Sequence, residues 1–575
     1  MDKHAVAIIL EEIGTLLEVH GENKFKARAF INAARAVEKY ESDLGALVRR
    51  GEVETLPGVG PATANVVREL VTTGTSRYYT DLRERTPDGL LELLAVPRLG
   101  ASRIRTLHQE LGVASLADLE AAALQGRIAS LPGFGARTQE RILEGIAYVR
   151  TTTGRRRLAE TLELGRRLTN FVRAQEHVLK AELAGELRRC CETVNAVEVV
   201  ACVQREHMDS VLSAFAALPG ISHTERTRTY VTAYLSDGLT LRLTCAPPES
   251  FPVVLVFRTG SRTHVDELVE SAQAAGFDLS PENLTKGGAV IPVADEQALY
   301  RVLGLAWVPP ELREGRGELE FAARNKIPQL VELSDLRGCF HCHTTYSDGT
   351  ASVAEMARGA QSLGWRYLGI ADHSQHASYA GGLSLDELRR QHEEIDAWNA
   401  EHGKKLWLFK GVEADILADG AVDYARDDVL QHFDYVIGSV HSNFNLSAEA
   451  MTERFLRALD NPYLTMLGHL TGRLLLSRKG YALDIPRVLE AAAERGVAVE
   501  INADPRRLDL GWEHWRETAP ELFTAINPDA HSVRSLDVVE YGVAMARKGG
   551  IGPGRIVNTW SLAQVRRFFQ RARRS

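Results

Sequence analysis

Between residues 337 and 575 the chain alternates short apolar runs with helical stretches, repeating roughly every 30 to 40 residues as a βα unit does. Nearly every run stops on a histidine or a carboxylate: CFHCHTTYSDG, YLGIADHS, LFKGVEADI, YVIGSVHS, LTMLGHLTG, VAVEINAD and FTAINPDAHS. Strands that alternate with helices fold into a parallel barrel, and the carboxyl ends of its strands converge on one mouth. A seven-stranded distorted (β/α) barrel is therefore expected to bring His341, His343, Asp348, His373, Glu413, His441, His469, Asp529 and His531 into a single pocket. His341 and His343, like Asp529 and His531, are spaced to share one face of a strand. His376, His392, His432 and His514 fall off this pattern and read as surface residues.

Imidazole and carboxylate in combination suit Zn²⁺, Mn²⁺ or Fe²⁺, and the lack of thiolate partners argues against a structural zinc site. Cys339 and Cys342 form a C-x-x-C, but on a strand positions three apart point to opposite faces, which makes a redox or zinc pair improbable. Nine donors exceed what one ion takes. Two or three divalent ions are expected to share them, bridged by Glu413 or Asp529, with a hydroxide generated on the metals attacking phosphorus. That chemistry is phosphoester hydrolysis. Asp372, Asp415, Asn502 and Arg473 lie beside the donors, with Arg473 and Asn502 expected as supporting or phosphate-binding groups.

At 575 residues the chain should form three or four folded units. It has no apolar run of the ~18 residues a membrane span needs and no signal-peptide pattern, so a cytoplasmic protein without membrane contact is expected. Six cysteines cannot make a disulfide framework in this length and read as reduced. A net charge of -8 excludes a uniformly basic coat, leaving local, backbone-directed motifs as the route to a nucleic acid. Such motifs recur in the first 150 residues: LPGVGPATANVV at 56–67, VPRLGASRIRTL at 96–107 and LPGFGARTQERIL at 131–143. Each sets a glycine turn before a helix, where free amide groups can take a phosphate oxygen. Gly58, Gly60, Gly100, Arg103, Gly133 and Gly135 are the expected DNA contacts, and binding would be independent of sequence. From 151 onward come β-branched runs, TVNAVEVVACV, TYVTAYL, LTLRLT and FPVVLVF, read as strands of an α+β region. The C-terminal VRRFFQRARRS, with Arg566, Arg567, Arg571, Arg573 and Arg574 around two phenylalanines, reads as a basic final helix.

HCHTTYSDG, ADHS, GVEADI, SVH, LGHLTGR and NPDAHS closely resemble the PHP (polymerase and histidinol phosphatase) domain, with every expected metal position filled. With HGENKFKARAF, the hairpin repeats, AGELRR, TGSRTH at 259–264 and PPELREGRGELE, the whole chain resembles bacterial family X DNA polymerases that carry a C-terminal PHP domain. The resemblance implies a multidomain α/β chain. Residues 1–85 would be a helical DNA-binding domain with the first helix-hairpin-helix, 86–150 a fingers-like helical domain, 151–250 a nucleotidyltransferase-like palm, 251–318 a thumb, 319–336 a linker and 337–575 the PHP domain. It further implies a gap-filling polymerase with a 3′ to 5′ exonuclease in the PHP domain, working as a monomer at the nucleoid on gapped, nicked or 3′-ended DNA.

The palm departs from the family pattern. Glu186 stands at the Gly-Ser serine, Ala196 and Glu198 at the Asp-x-Asp aspartates, and Thr240 at the third aspartate. Glu192 or Asp237 would substitute only under a shifted register, and the Arg188-Arg189 and Leu241-Arg242 anchors fix it. Nucleotidyl transfer needs two ions held by those carboxylates, so the Mg²⁺ or Mn²⁺ implied for the palm is not expected to bind well. Val66 stands where a Schiff-base lysine of a lyase would be. The expectation is a DNA-repair nuclease acting through the PHP domain with its polymerase site impaired or lost. A weak Mn²⁺-dependent polymerase, a DNA-end-binding scaffold and a small-molecule phosphatase are the alternatives.

Overall fold

The computed structural model describes residues 3–40, 43–97, 99–236, 238–424, 427–516 and 518–571. It forms two compact units, Met1–Thr153 and Gly154–Ser575. No described helix is long and apolar enough to cross a membrane.

The first unit is helical, with one apolar cluster drawn from residues 6–82 and a second from residues 90–149 together with Val19. Each recurring motif folds as a turn into a helix: Gly60, Gly100 and Gly135 cap Pro61–Thr73, Ala101–Leu111 and Ala136–Thr152. Gly58 and Gly133 have φ of 77° and 80°, the left-handed region that glycine enters without strain. Nothing lies within 4 Å of where a Cβ would stand on Gly60, Gly100 or Gly135, so the cap positions themselves are uncrowded. Arg98 of the middle copy lies outside the described residues, and the Arg103 guanidinium stacks over the Phe134 ring of the third copy at 6.0 Å. Val66 is buried.

In the second unit the palm strands are β1 (Val178–Ala184), β2 (Ala196–Val203), β3 (Ile221–Arg226), β4 (Tyr230–Leu235) and β5 (Thr240–Ala246), in spatial order β1-β2-β5-β4-β3. β2 and β5 run parallel, with Ala196 opposite Thr240 and Glu198 opposite Arg242. FPVVLVF, expected as a strand, is instead the helix Phe251–Thr259. Pro252 starts it and its residues are buried on several sides, so packing overrides the β preference of its valines. The next stretch, expected as a linker, begins as the helix Glu318–Ala323 and continues with Val331 buried and its N–H bonded to the Ile551 carbonyl.

The barrel strands are β6 (Gly338–Cys339), β7 (Tyr367–Ile370), β8 (Trp407–Asp415), β9 (Tyr435–Ser439), β10 (Met466–Leu467), β11 (Ala498–Asn502) and β12 (Thr524–Asn527). Among the described residues they form one parallel seven-stranded sheet in sequence order, each expected run supplying one strand. The seam between β6 and β12 is closed by side chains and a single bridge. Buried Asn558 gives its Nδ2 to the carbonyls of Gly338 (3.0 Å) and Ile526 (2.7 Å) and takes the Ile526 N–H. Asn527 Oδ1 takes the Phe340 N–H, and Cys342 bridges Ala530 further up. Because β6 ends after Cys339 and the chain turns to this bridge, strand alternation is lost. Cys339 and Cys342 therefore do not point apart, and their Sγ atoms lie 3.5 Å from each other.

Palm and barrel share one apolar cluster. The lower end of the barrel is filled by Phe340, Tyr367, Phe409 and Tyr435 against Phe568 and Phe569 of the final helix, Leu562–Arg571. That helix is thus a plug as well as a basic surface, with the Arg566 guanidinium 4.0 Å from the Trp407 ring; Arg573 and Arg574 lie outside the described residues. Phe569→Ala should remove about 3–5 kcal/mol of stability, as deleting a buried aromatic does. A urea titration followed by near-UV circular dichroism checks this, and an unchanged midpoint would show that the helix is not part of the core.

Candidate metal centre

Parallel pairing sets every barrel strand in the same direction, so the residues just past each strand end rise around one opening. His341 follows β6, His373 follows β7, Glu413 lies in the last turn of the pleat of β8, His441 follows β9, His469 follows β10 and Asp529 follows β12. All nine predicted donors come together. Three overlapping groups have donor atoms within 4.8 Å of one another: His343, Asp348, His373 and His531; His341, His343 and Asp529; His373, Glu413 and His441. His469 joins through its Nε2, 2.9 Å from Glu413 Oε1. Among the described residues, every group of this kind is in the barrel.

The donor set fits divalent ions. Buried nitrogens of His341 (Nε2) and His343 (Nδ1 and Nε2) have no hydrogen-bond partner, an arrangement that is costly unless a cation takes their lone pairs. Glu413 is 1% exposed and faces five imidazoles, with His373 Nδ1 at 3.0 Å, His441 Nε2 at 3.3 Å, His341 Nε2 at 3.4 Å and His343 Nε2 at 3.6 Å beside His469. Burial would raise the Glu413 and Asp529 carboxyls, but His341 and its neighbours hold both well below the usual carboxylate range. Asp348, opposed by burial, is brought to about 2 by His531 and His343. Burial likewise opposes charge on His441 and His531, yet Glu413 with Asp415 pushes the first up to about 9, and Asp348 with Asp529 pushes the second up to about 9. His343, buried beside His531 and His373, is held down to about 3. Ionised carboxylates thus surround imidazoles of mixed charge, as in a site built to exchange protons for metal.

A further set of residues fixes the donors. Asp415 Oδ1 is 2.7 Å from His441 Nδ1, and Asn502 Nδ2 donates to Asp529 Oδ2 at 3.1 Å. Asp372 accepts from Thr344, Ser347 and Gln391 and so ties down the loop carrying Asp348. Glu500, which sequence reasoning missed, is fully buried. It lies 2.8 Å from His341 Nδ1 and accepts the His469 N–H at 2.7 Å and the amides of Asn502 and Asn527. Its signal was a carboxylate inside the apolar run of β11, on the face it shares with Asn502. Arg473 does not support the site directly: its guanidinium binds Glu192 of the palm and the carbonyls of Arg507 and Leu508. The arginine that reaches the donors is Arg507, with Nε 3.5 Å from Asp529 Oδ2. Tyr379, also missed, is 69% exposed at the rim, its ring 6.2 Å from that of His373 and 6.1 Å from that of His441. His392 lies apart, half-buried against Phe433.

Among the described residues, the palm offers no comparable cluster. Glu198 Oε1 is 3.3 Å from Arg242, and burial pushes its carboxyl up against the pull of Arg242 and Arg258. Glu186 is held by Arg155 at 2.9 Å and accepts the Asn195 N–H. Asp237 lies outside the described residues. Ala196 and Thr240 supply no carboxylate.

The chain matches a helix-hairpin-helix domain over residues 1–76, a SAM-like helix-hairpin-helix tandem over 90–147, a DNA polymerase beta thumb over 254–314 and a PHP domain over 340–504. The DNA polymerase/3'-5' exonuclease PolX of Bacillus subtilis is 34% identical over 577 residues, covering 99% of this chain and 100% of the relative. A probable phosphatase of Caldanaerobacter subterraneus is 33% identical over 173 residues, 28% of this chain and 60% of that protein. One of Aliivibrio fischeri is 28% identical over 231 residues, 38% of this chain and 88% of that protein.

Replacing Glu500 with Gln keeps its size but removes the charge that orients His341. Metal affinity should fall about 10- to 100-fold, read by equilibrium dialysis with elemental analysis. Unchanged affinity would show that Glu500 is a core residue only.

Proposed function

The chain belongs to the PHP-domain-bearing family X DNA polymerases, with the B. subtilis PolX as a relative along its whole length, and from that membership we propose that it is chiefly a DNA nuclease. It works as a metal-dependent 3′ to 5′ exonuclease or phosphodiesterase through the barrel, and its nucleotidyl-transfer site is impaired or lost. The observation that carries this reading is the contrast between nine converging donors in the barrel and a palm left with Glu198 alone, already paired with Arg242.

His341, His343, Asp348, His373, Glu413, His441, His469, Asp529 and His531 would hold two or three Mn²⁺, Zn²⁺ or Fe²⁺ ions, which when bound neutralise phosphate charge and acidify water. The protein's own groups then dispose the substrate. Arg507 is the cation at the donors and faces a phosphate; Asn502 holds Asp529 in place. Tyr379, exposed over the His373 and His441 rings, offers a platform on which the terminal base stacks. The helix starts capped by Gly60, Gly100 and Gly135 take backbone phosphates without reading sequence. Gapped, nicked or 3′-ended DNA at the nucleoid in the cytoplasm is the substrate this supports, with the protein acting as a monomer. The phosphatase relatives favour a second reading, hydrolysis of a small phosphomonoester, which p-nitrophenyl phosphate turnover tests directly.

On a 5′-labelled gapped duplex with Mn²⁺, the wild type should shorten the primer, and His341→Ala with Asp529→Ala should abolish shortening. Extension of the primer by that variant when dNTPs are added would refute the loss of the polymerase site. Shortening that survives in the variant would refute the barrel as the nuclease.

Tyr379→Ala should raise KM for DNA about 5- to 100-fold, as loss of one stacked base does, while Tyr379→Phe stays near the wild type. Bis(p-nitrophenyl) phosphate, which has no base, is the reference. A parallel loss on it would mean that Tyr379 shapes the metal site instead.

A further inference from the structure

Glu192 belongs to the palm, between the helix Gly185–Arg188 and Thr193, yet none of the palm's chemistry uses it. Its carboxylate accepts from Arg473 of the barrel at 2.5 Å, both side chains about one-sixth exposed at 16% and 15%. The same guanidinium donates from Nε to the Arg507 carbonyl at 3.0 Å and from Nη2 to the Leu508 carbonyl. Leu508 has a φ of 44°, an unfavourable conformation for a side chain branched at Cγ, which persists only where its surroundings fix it. Asp504 holds the segment from within by accepting the N–H groups of Arg507 (2.7 Å) and Leu508 (3.0 Å), while Arg473 holds it from outside. This segment aims Arg507 at Asp529.

We propose that Glu192 is a positioning residue for the barrel reaction: through Arg473 and the carbonyls of residues 507 and 508 it fixes the Arg507 guanidinium at Asp529. The inference rests on the nuclease reading of the barrel site. A largely buried guanidinium needs a counter-charge. Besides Glu192, the acidic groups that act on Arg473 are Asp509 and Glu513. Asp509 already accepts the N–H and hydroxyl of Thr471, so re-pairing there would pull on the same loop. The palm is held on the barrel independently of this pair. Lys548 donates to the Arg189 carbonyl at 3.0 Å and pairs with Glu314, which also binds Arg189 at 2.8 Å, and both regions contribute to one apolar cluster. Removing the Glu192 charge therefore tests positioning rather than docking. A palm without its metal carboxylates keeps a task in the nuclease.

Full-length Glu192→Gln, Arg507→Ala and the double variant, loaded with Mn²⁺, are compared on 5′-labelled DNA and on bis(p-nitrophenyl) phosphate. Glu192→Gln should lower kcat on both about 10- to 100-fold, the effect of an ångström-scale misplacement, with KM and metal content unchanged, and Glu192→Asp should recover part of the loss. The double variant should be no worse than Arg507→Ala alone. Wild-type kcat in Glu192→Gln, or losses that multiply in the double variant, would overturn the proposal. Hydrogen exchange across residues 503–510 reads the same coupling without catalysis: it should quicken in Glu192→Gln, and unchanged exchange overturns the proposal even if the wild type cleaves neither substrate. An inactive wild type with quickened exchange would refute the nuclease reading and leave the coupling standing.

Discussion

Glu413 and Glu500 lie at the floor of the barrel mouth with almost no exposure, and an ionised carboxylate survives there only where donors or positive charge surround it. The two are satisfied differently. Glu413 meets five imidazoles and no backbone amide, whereas Glu500 takes one imidazole, a backbone N–H and two side-chain amides. The first is therefore free to share its oxygens with cations, and the second is committed to holding other groups still. The remaining donors take their places around this division: Asp415 behind His441, Asn502 behind Asp529, Asp372 behind the Asp348 loop.

The palm illustrates the opposite outcome for buried charge. With Ala196 facing Thr240 across two parallel strands, neither position supplies a carboxylate to share a metal with Glu198, which pairs with Arg242. Glu186 is likewise neutralised, by Arg155. Arginines answer both of these acids, so neither needs an ion to balance its charge. Its fold persists because the β2–β5 core depends on the valines and leucines of those strands and not on the residues once expected to bind metal.

Much of this was legible in the chain itself because a parallel barrel imposes a simple rule: strands end on one side, and whatever chemistry the sequence places at those ends must meet. The seven runs and the convergence of the donors follow from that rule, while the choice of donors among the strand-end acids also drew on the resemblance to the PHP domain. Properties that depend on which neighbour arrives did not. Arg473 and Arg507 are both arginines in loops after barrel strands, and only contact with Glu192 decides that one faces the palm and the other the metal donors. FPVVLVF has the composition of a strand, and its burial on several sides makes it a helix. Cys339 and Cys342 meet because β6 is too short for alternation to continue. Tyr379 lies in the single 3₁₀ turn Ser378–Ala380, too short for any periodicity to mark it.

The seam of the barrel has a thermodynamic consequence. Where the other strands are joined by ladders, β6 and β12 are joined by the amides of Asn527 and Asn558 and one bridge. One donor group, His341 and His343 with Asp529, reaches across this same gap. A cation held there ties the first strand to the last, adding its binding free energy to the weakest joint of the sheet and to no other. Occupancy and closure are then linked: whatever stabilises a cation at that group also stabilises the contact between β6 and β12, and a firmer seam in turn holds the donors for the cation.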